Sequence, residues 1–144
     1  TDVQHHLSSQ MPRDAFCSVA LTNDDLYPGP KWNFVFGEAN PNTKVGVFSF
    51  CRYKSANEAR YLRRCLSVVV HEIGHLFGIE HCVYYLCNMD GSNHLEESDR
   101  QPLALCPIDL RKLCLATGVC PIERQRALCD WFQQHGLAEE EECG

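Results

Sequence analysis

The sequence predicts an α/β fold of the α+β kind, in which strands and helices are separated along the chain. Three observations carry this. Short runs rich in β-branched and aromatic residues fall within the first 50 residues. A long amphipathic helix pattern follows over residues 55–78. The remainder is irregular and rich in Cys, Asn and Gly, with two further helical stretches. A chain of 144 residues forms one domain, 1–144, with a core large enough to fold without staples. Within it the expected upper part spans 14–78, the lower part 79–136, and an acidic tail 137–144.

The elements follow in order. Residues 1–14 are polar and read as frayed, with His5 and His6 on a flexible tail. Residues 17–22 alternate as a first strand, which Asn23-Asp24-Asp25 and Pro28-Gly29-Pro30 break. Residues 32–36, from Trp32 to Phe36, alternate bulky and apolar side chains and stop at Gly37, the pattern of a second strand. Asn40-Pro41-Asn42 makes a turn, and residues 45–50 form a third strand beside the second. Ser55 and Glu58 fit a capping box for the long helix. Its apolar residues Leu62, Leu66, Val69, Ile73 and Leu76 recur at spacings of three and four and form one stripe. Gly78 is placed to stop it. Residues 110–115 read as a short helix. Residues 121–134 read as the last one, with Pro121 at its start and Gly136 past its end. Glu139 to Glu142 form a solvated acidic tail.

Composition excludes several classes. Hydrophobic residues are 44% and charged residues 22%, which excludes wholesale disorder. A net charge of -6 argues against a phosphate-tracking surface, so no nucleic acid is expected as a partner. No apolar run approaches the ~20 residues that span a bilayer, so no membrane is expected either. The start carries no apolar stretch of a secretory signal. With no initiator Met, the chain is expected to be a trimmed fragment. Ten cysteines suit either disulfides or metal. Cys82, Cys87, Cys106, Cys114, Cys120 and Cys129 crowd the second half behind a histidine cluster, which favours metal. Cys17, Cys51 and Cys65 read as buried thiols, and Cys120 and Cys129 as free ones.

The chemistry concentrates in His71-Glu72-Ile73-Gly74-His75-Leu76-Phe77-Gly78-Ile79-Glu80-His81. His71 and His75 sit four apart on a helix, one above the other, so both can point at one ion. They lie roughly 180° and 220° around the helix from Leu62, away from the apolar stripe. Glu72 lies roughly 80° from the stripe, beside the metal without being needed as a ligand. Gly78 tolerates φ > 0, so the chain can turn and bring His81 back as a third nitrogen ligand. Three neutral imidazoles leave a fourth tetrahedral position open, the mark of a catalytic zinc site. Chance occurrence of the whole pattern is on the order of 10⁻⁴ at average composition.

This pattern resembles the metzincin metalloproteases. Its continuation through Cys82, Cys87 and Met89 to Cys106-Pro107-Ile108-Asp109 resembles the archaemetzincin family. Leu26-Tyr27-Pro28, residues 32–37 and 45–50, Ser92-Asn93-His94-Leu95-Glu96-Glu97 and Arg100-Gln101-Pro102-Leu103 carry the same likeness, over residues 14–131. The resemblance implies a metzincin-like zincin fold: a mixed, mostly parallel sheet over an active-site helix, with a small C-terminal subdomain. It implies that Met89 is the Met-turn beneath the three histidines. It also implies a second, structural zinc at a cysteine quartet. Here Cys82, Cys87 and Cys106 match the quartet and Asp109 stands at its fourth position. Asp109 can complete the site as a carboxylate, Cys114 can replace it, or the site can be lost. Loss would untie residues 82–110 and unsettle Met89. His94 reads as a surface residue, and His135 as a charge partner of the last helix end.

The expected activity is zinc-dependent hydrolysis of a peptide bond, with Glu72 as general base. A peptide or protein would be the substrate, paired in extended form with residues 33–37 as an upper edge strand. No Tyr follows Met89 to assist the oxyanion. The competing readings are a catalytically silent zinc protein that binds peptides, and an interaction module built on Cys82, Cys87 and Cys106. The chain is expected to be a monomer and intracellular, in cytoplasm or nucleus.

Overall fold

The structure is a computed structural model that describes residues 2–27, 29 and 33–137. Its elements run α1 (Asp2–Gln10), β1 (Ser18–Thr22), β2 (Gly37–Asn40), β3 (Val45–Ser49), a 3-10 turn (Cys51–Tyr53), α2 (Glu58–Leu76), α3 (Leu95–Ser98), α4 (Pro107–Thr117) and α5 (Pro121–Gln134). The acidic residues Glu139 to Glu142, and Pro28, Pro30 and Trp32, lie outside the described residues.

β3 is central, in the order β1-β3-β2. β1 pairs with it parallel and β2 antiparallel. The described sheet is therefore mixed in equal parts, not mostly parallel. All five residues of β3 are buried, because both neighbours and α2 cover it. Phe48 has no exposed surface and fills space left by two glycines. A Cβ on Gly37 or Gly46 would come within 2.8 and 2.6 Å of its ring. Burying a side chain of this size stabilises by about 1.5–3 kcal/mol.

Three sequence expectations are corrected here. Residues 2–10 are a helix packed against β1 and β3, not a frayed end. The second strand begins where it was expected to end, at Gly37. Of residues 33–36 Val35 forms a single antiparallel bridge to Leu26, and the Phe36 carbonyl accepts from the Ser49 N–H at 2.8 Å. Phe34 is instead held by Arg52, whose guanidinium stacks 3.7 Å over the ring and pairs with Asp25. The capping box does not form. Asn57 is the N-cap of α2 and accepts from the Arg60 N–H at 2.9 Å, while Ser55 accepts from the Asn57 N–H.

α2 runs through the middle of the molecule and buries a wider arc than its Leu stripe. One side, Cys65 and Val68, packs with Tyr53, Phe36 and Phe50. Another, Ala59, Leu62 and Leu66, meets Leu103, Phe132 and Leu137. Leu137 is thus core and not part of the expected tail. A third cluster, Ile79, Cys87, Met89 and Cys106, lies beneath the end of α2. No described helix is long and apolar enough to cross a membrane.

Candidate active site

The end of α2 builds the site. Gly78 takes φ +80°, a left-handed conformation that a glycine adopts without strain. Gly78 N–H then donates to the His75 carbonyl and Ile79 N–H to the Gly74 carbonyl, which closes the helix as a Schellman motif. Lys44 reaches across and donates from Nζ to the Leu76 carbonyl at 2.6 Å. The chain reverses and His81 returns to the helix.

The three imidazoles converge through one atom each. His71 Nε2 lies 3.1 Å from His75 Nε2 and 3.3 Å from His81 Nε2. Four ligands at 2.0–2.1 Å in a tetrahedron stand about 3.3 Å apart, so the spacing fits zinc. The outer nitrogens are also set for it. His71 Nδ1 donates to the Asn88 carbonyl at 2.8 Å, and His75 Nδ1 to the Ile79 carbonyl at 2.7 Å. With the proton on Nδ1, each Nε2 presents its lone pair to the centre. Burial pushes His71 down to about 4, and burial with the neighbouring His75 lowers His81. Both imidazoles are therefore neutral near pH 7, the form that binds metal.

Glu72 lines the same cavity as His71 and His81, a cleft of about 410 Å³ that also takes in Phe34, Phe36, Tyr53 and Gln101. Burial pushes its carboxyl up to about 7. A cation among the histidines would oppose that push. Gly37 makes room for this side chain, since a Cβ there would stand 3.3 Å from Glu72 Cγ. Met89, fully buried, packs under α2 so closely that a Cβ on Gly74 would run into its thioether.

A second cluster adjoins the first through the chain itself, since Cys82 follows His81. Cys82, Cys87, Cys106 and Asp109 bring one ligand atom each within 4.8 Å of one another. Cys82 and Cys106 sulfurs are 3.9 Å apart, and Asp109 Oδ2 lies 3.5 Å from the sulfurs of Cys87 and Cys106. A tetrahedron with Zn–S near 2.3 Å and Zn–O near 2.0 Å has edges of about 3.8 Å between sulfurs and 3.5 Å between sulfur and oxygen. Cys114 is not part of this cluster. Burial pushes the Cys87 thiol up to about 12, a preference that a bound divalent cation reverses.

The remaining expectations fall into place around these clusters. The nine described cysteines are free. Cys65 is buried, but Cys17 and Cys51 are only half-buried. His94 is an exposed cap of α3, accepting from the Glu97 N–H at 3.2 Å. His135 closes α5 by stacking on Trp131 at 3.9 Å. Sequence reasoning missed Gly37, Gly74, Ile79 and Asn88. A glycine inside a helix pattern was the available signal for Gly74. Ile79 and Asn88 act through their carbonyls, which every residue has, so no side-chain signal marked them.

A mixed sheet over one long helix, a three-histidine centre at its end and a methionine beneath resemble the metzincin metallopeptidases. The profile of peptidase family M54 matches residues 9–114. Archaemetzincin-2 of Macaca fascicularis is 43% identical over 91% of the chain, and that of Homo sapiens 42% over 91%. The chain spans 45% of the length of each of these relatives. The crystal structure of archaemetzincin from Methanopyrus kandleri superposes with a TM-score of 0.67 at 33% identity, over 78% of this chain and 63% of that one. The chain belongs to the archaemetzincins, peptidase family M54.

Proposed function

We propose that this chain is the catalytic part of a zinc-dependent metallopeptidase that hydrolyses peptide bonds. One observation carries the reading: the His71 Nε2 lies 3.1–3.3 Å from those of His75 and His81, beside a half-buried carboxylate that lines the same cleft. His71, His75 and His81 would hold the catalytic zinc, which when bound lowers the pKa of its water toward ~7 and polarises the scissile carbonyl. Glu72 accepts the proton of the attacking water and passes it to the nitrogen of the leaving amine. Its place in the cleft beside the three imidazoles suits it to both halves of that transfer. Asn88 and Ile79 keep His71 and His75 oriented through their carbonyls, and Met89 supports the helix beneath them.

The second cluster, Cys82, Cys87, Cys106 and Asp109, would hold a structural zinc, supported by separations that match a tetrahedron. The substrate is a peptide or protein that lies along the cleft between α2 and the segment 34–37. The edge available for backbone pairing is β2, because the Val35 N–H already donates to the Leu26 carbonyl.

The test is digestion of a mixed peptide library by zinc-loaded protein, with zinc-loaded Glu72→Ala as control. Cleavage by the first and none by the second is the expected result, with equal zinc content in both. Cleavage by both would assign the base to another group. Cleavage by neither, with zinc bound, would favour a peptide-binding protein without turnover.

A further inference from the structure

Asp109 is 2% exposed, and a buried carboxylate needs partners for both oxygens. Oδ2 faces the sulfurs of Cys87 and Cys106 at 3.5 Å. Oδ1 accepts from Lys112 Nζ at 2.8 Å. Among the described residues neither oxygen has another partner. An ion pair three residues apart on a helix surface usually contributes little. This one differs, because only the lysine end is in water: Lys112 is half exposed and its stem carries the charge inward to a buried acceptor.

We propose that Lys112 is the positioning residue that makes Asp109 a metal ligand, by holding Oδ1 so that Oδ2 alone faces the three thiols. This rests on the second-site part of the reading above and not on the peptidase activity. Three chemical consequences follow. The carboxylate is confined to one-oxygen binding, which keeps the site four-coordinate, as structural zinc requires. The oxygen that does not bind is satisfied rather than orphaned. Three thiolates and a carboxylate place four negative charges around a divalent ion, and the ammonium offsets part of the excess. A cysteine at the same position would need neither of the first two, because a thiolate has no second atom to satisfy; only the charge offset would carry over. Aspartate is therefore a working replacement only in company with Lys112.

The experiment is a cobalt titration of reduced, metal-free protein, following the thiolate-to-cobalt charge-transfer band, with zinc affinity read by displacement. Only the cysteine cluster gives this band, so the histidine site does not contribute. Wild type should show it, together with d–d bands of tetrahedral intensity. Lys112→Met should weaken binding about tenfold or more, and Lys112→Arg should retain it. In an Asp109→Cys background, Lys112→Met should have a much smaller effect on affinity. Equal affinity and spectrum for wild type and Lys112→Met would overturn the proposal. So would an equal loss in the Asp109→Cys background, which would place the action of Lys112 on the thiolates or the helix. No band in wild type would overturn the second site and this proposal with it, while leaving the peptide-library result untouched.

Discussion

At the scale of single residues, Gly74 and Met89 set the geometry beneath the histidines. Gly74 would ordinarily be improved by alanine, since glycine inside a helix costs about 1 kcal/mol relative to alanine. Here the added methyl meets the Met89 thioether, and overpacking of a filled core costs about 1–3 kcal/mol. Gly74→Ala is therefore expected to destabilise the protein in urea unfolding. In a Met89→Ala background, where the space is open, the same change should become neutral or stabilising. An identical cost in both backgrounds would mean that Met89 does not pack as described. This residue-level detail was half legible. The glycine interrupted a helix pattern visibly, and Met89 was expected beneath the histidines. Their mutual contact depends on how the loop from 82 to 89 folds back, which no local pattern encodes.

At the scale of elements, α2 is tied to the segment after α3 by an ion pair. Arg64 Nε donates to Asp99 Oδ1 at 2.7 Å, and its Nη2 pairs with Oδ2. Arg64 holds the Asp99 carboxyl below its ordinary value of 3.8. A depressed carboxyl value in the folded state means stability present above the ordinary value and lost as pH falls through the lower folded one. Asp99 is partly exposed, so the pair is expected to contribute only about 1 kcal/mol. Asp99→Asn should cost that amount in unfolding measured near neutrality, with the gap to wild type closing in acid below the ordinary carboxyl range. A gap that stayed constant into strong acid would show that the effect is not the ion pair. Helix ends show where local signals decide and where they fail. Pro121 and Gly136 bounded α5 correctly, because an imino ring and a left-handed glycine act on the backbone by themselves. Ser55 and Glu58 gave the capping signature, yet Asn57 won, because a short polar side chain two residues on reached the Arg60 N–H. α1 was invisible because its residues are polar; contact with β1 and β3 accompanies it rather than a buried face of its own.

At the scale of the whole molecule, the two clusters share a backbone. Cys82 follows His81, and Asn88, whose carbonyl orients His71, stands between Cys87 and Met89. Cys82 N–H also donates to the Met89 carbonyl at 2.9 Å. Loosening the cysteine cluster should therefore loosen the histidine site. Cys106→Ser is expected to lower zinc affinity at the three histidines, though no histidine changes, and to lower the Tm of the zinc-loaded protein. The measurement is the d–d spectrum of cobalt at the histidine site during titration. An unchanged midpoint would show that the two sites are independent.

The sequence by itself determined the three histidines, Glu72, the glycine turn and the long helix that carries them. Those features depend on spacing along one helix and on backbone freedom at one glycine, both local properties of the chain. Only the tertiary structure decided that Asp109, not Cys114, joins the three cysteines, and that residues 34–36 line the cleft without forming a strand. It also decided that the carbonyls of Asn88 and Ile79 fix the imidazoles. These outcomes depend on which distant segments share space, where burial removes water and every polar atom must find a partner.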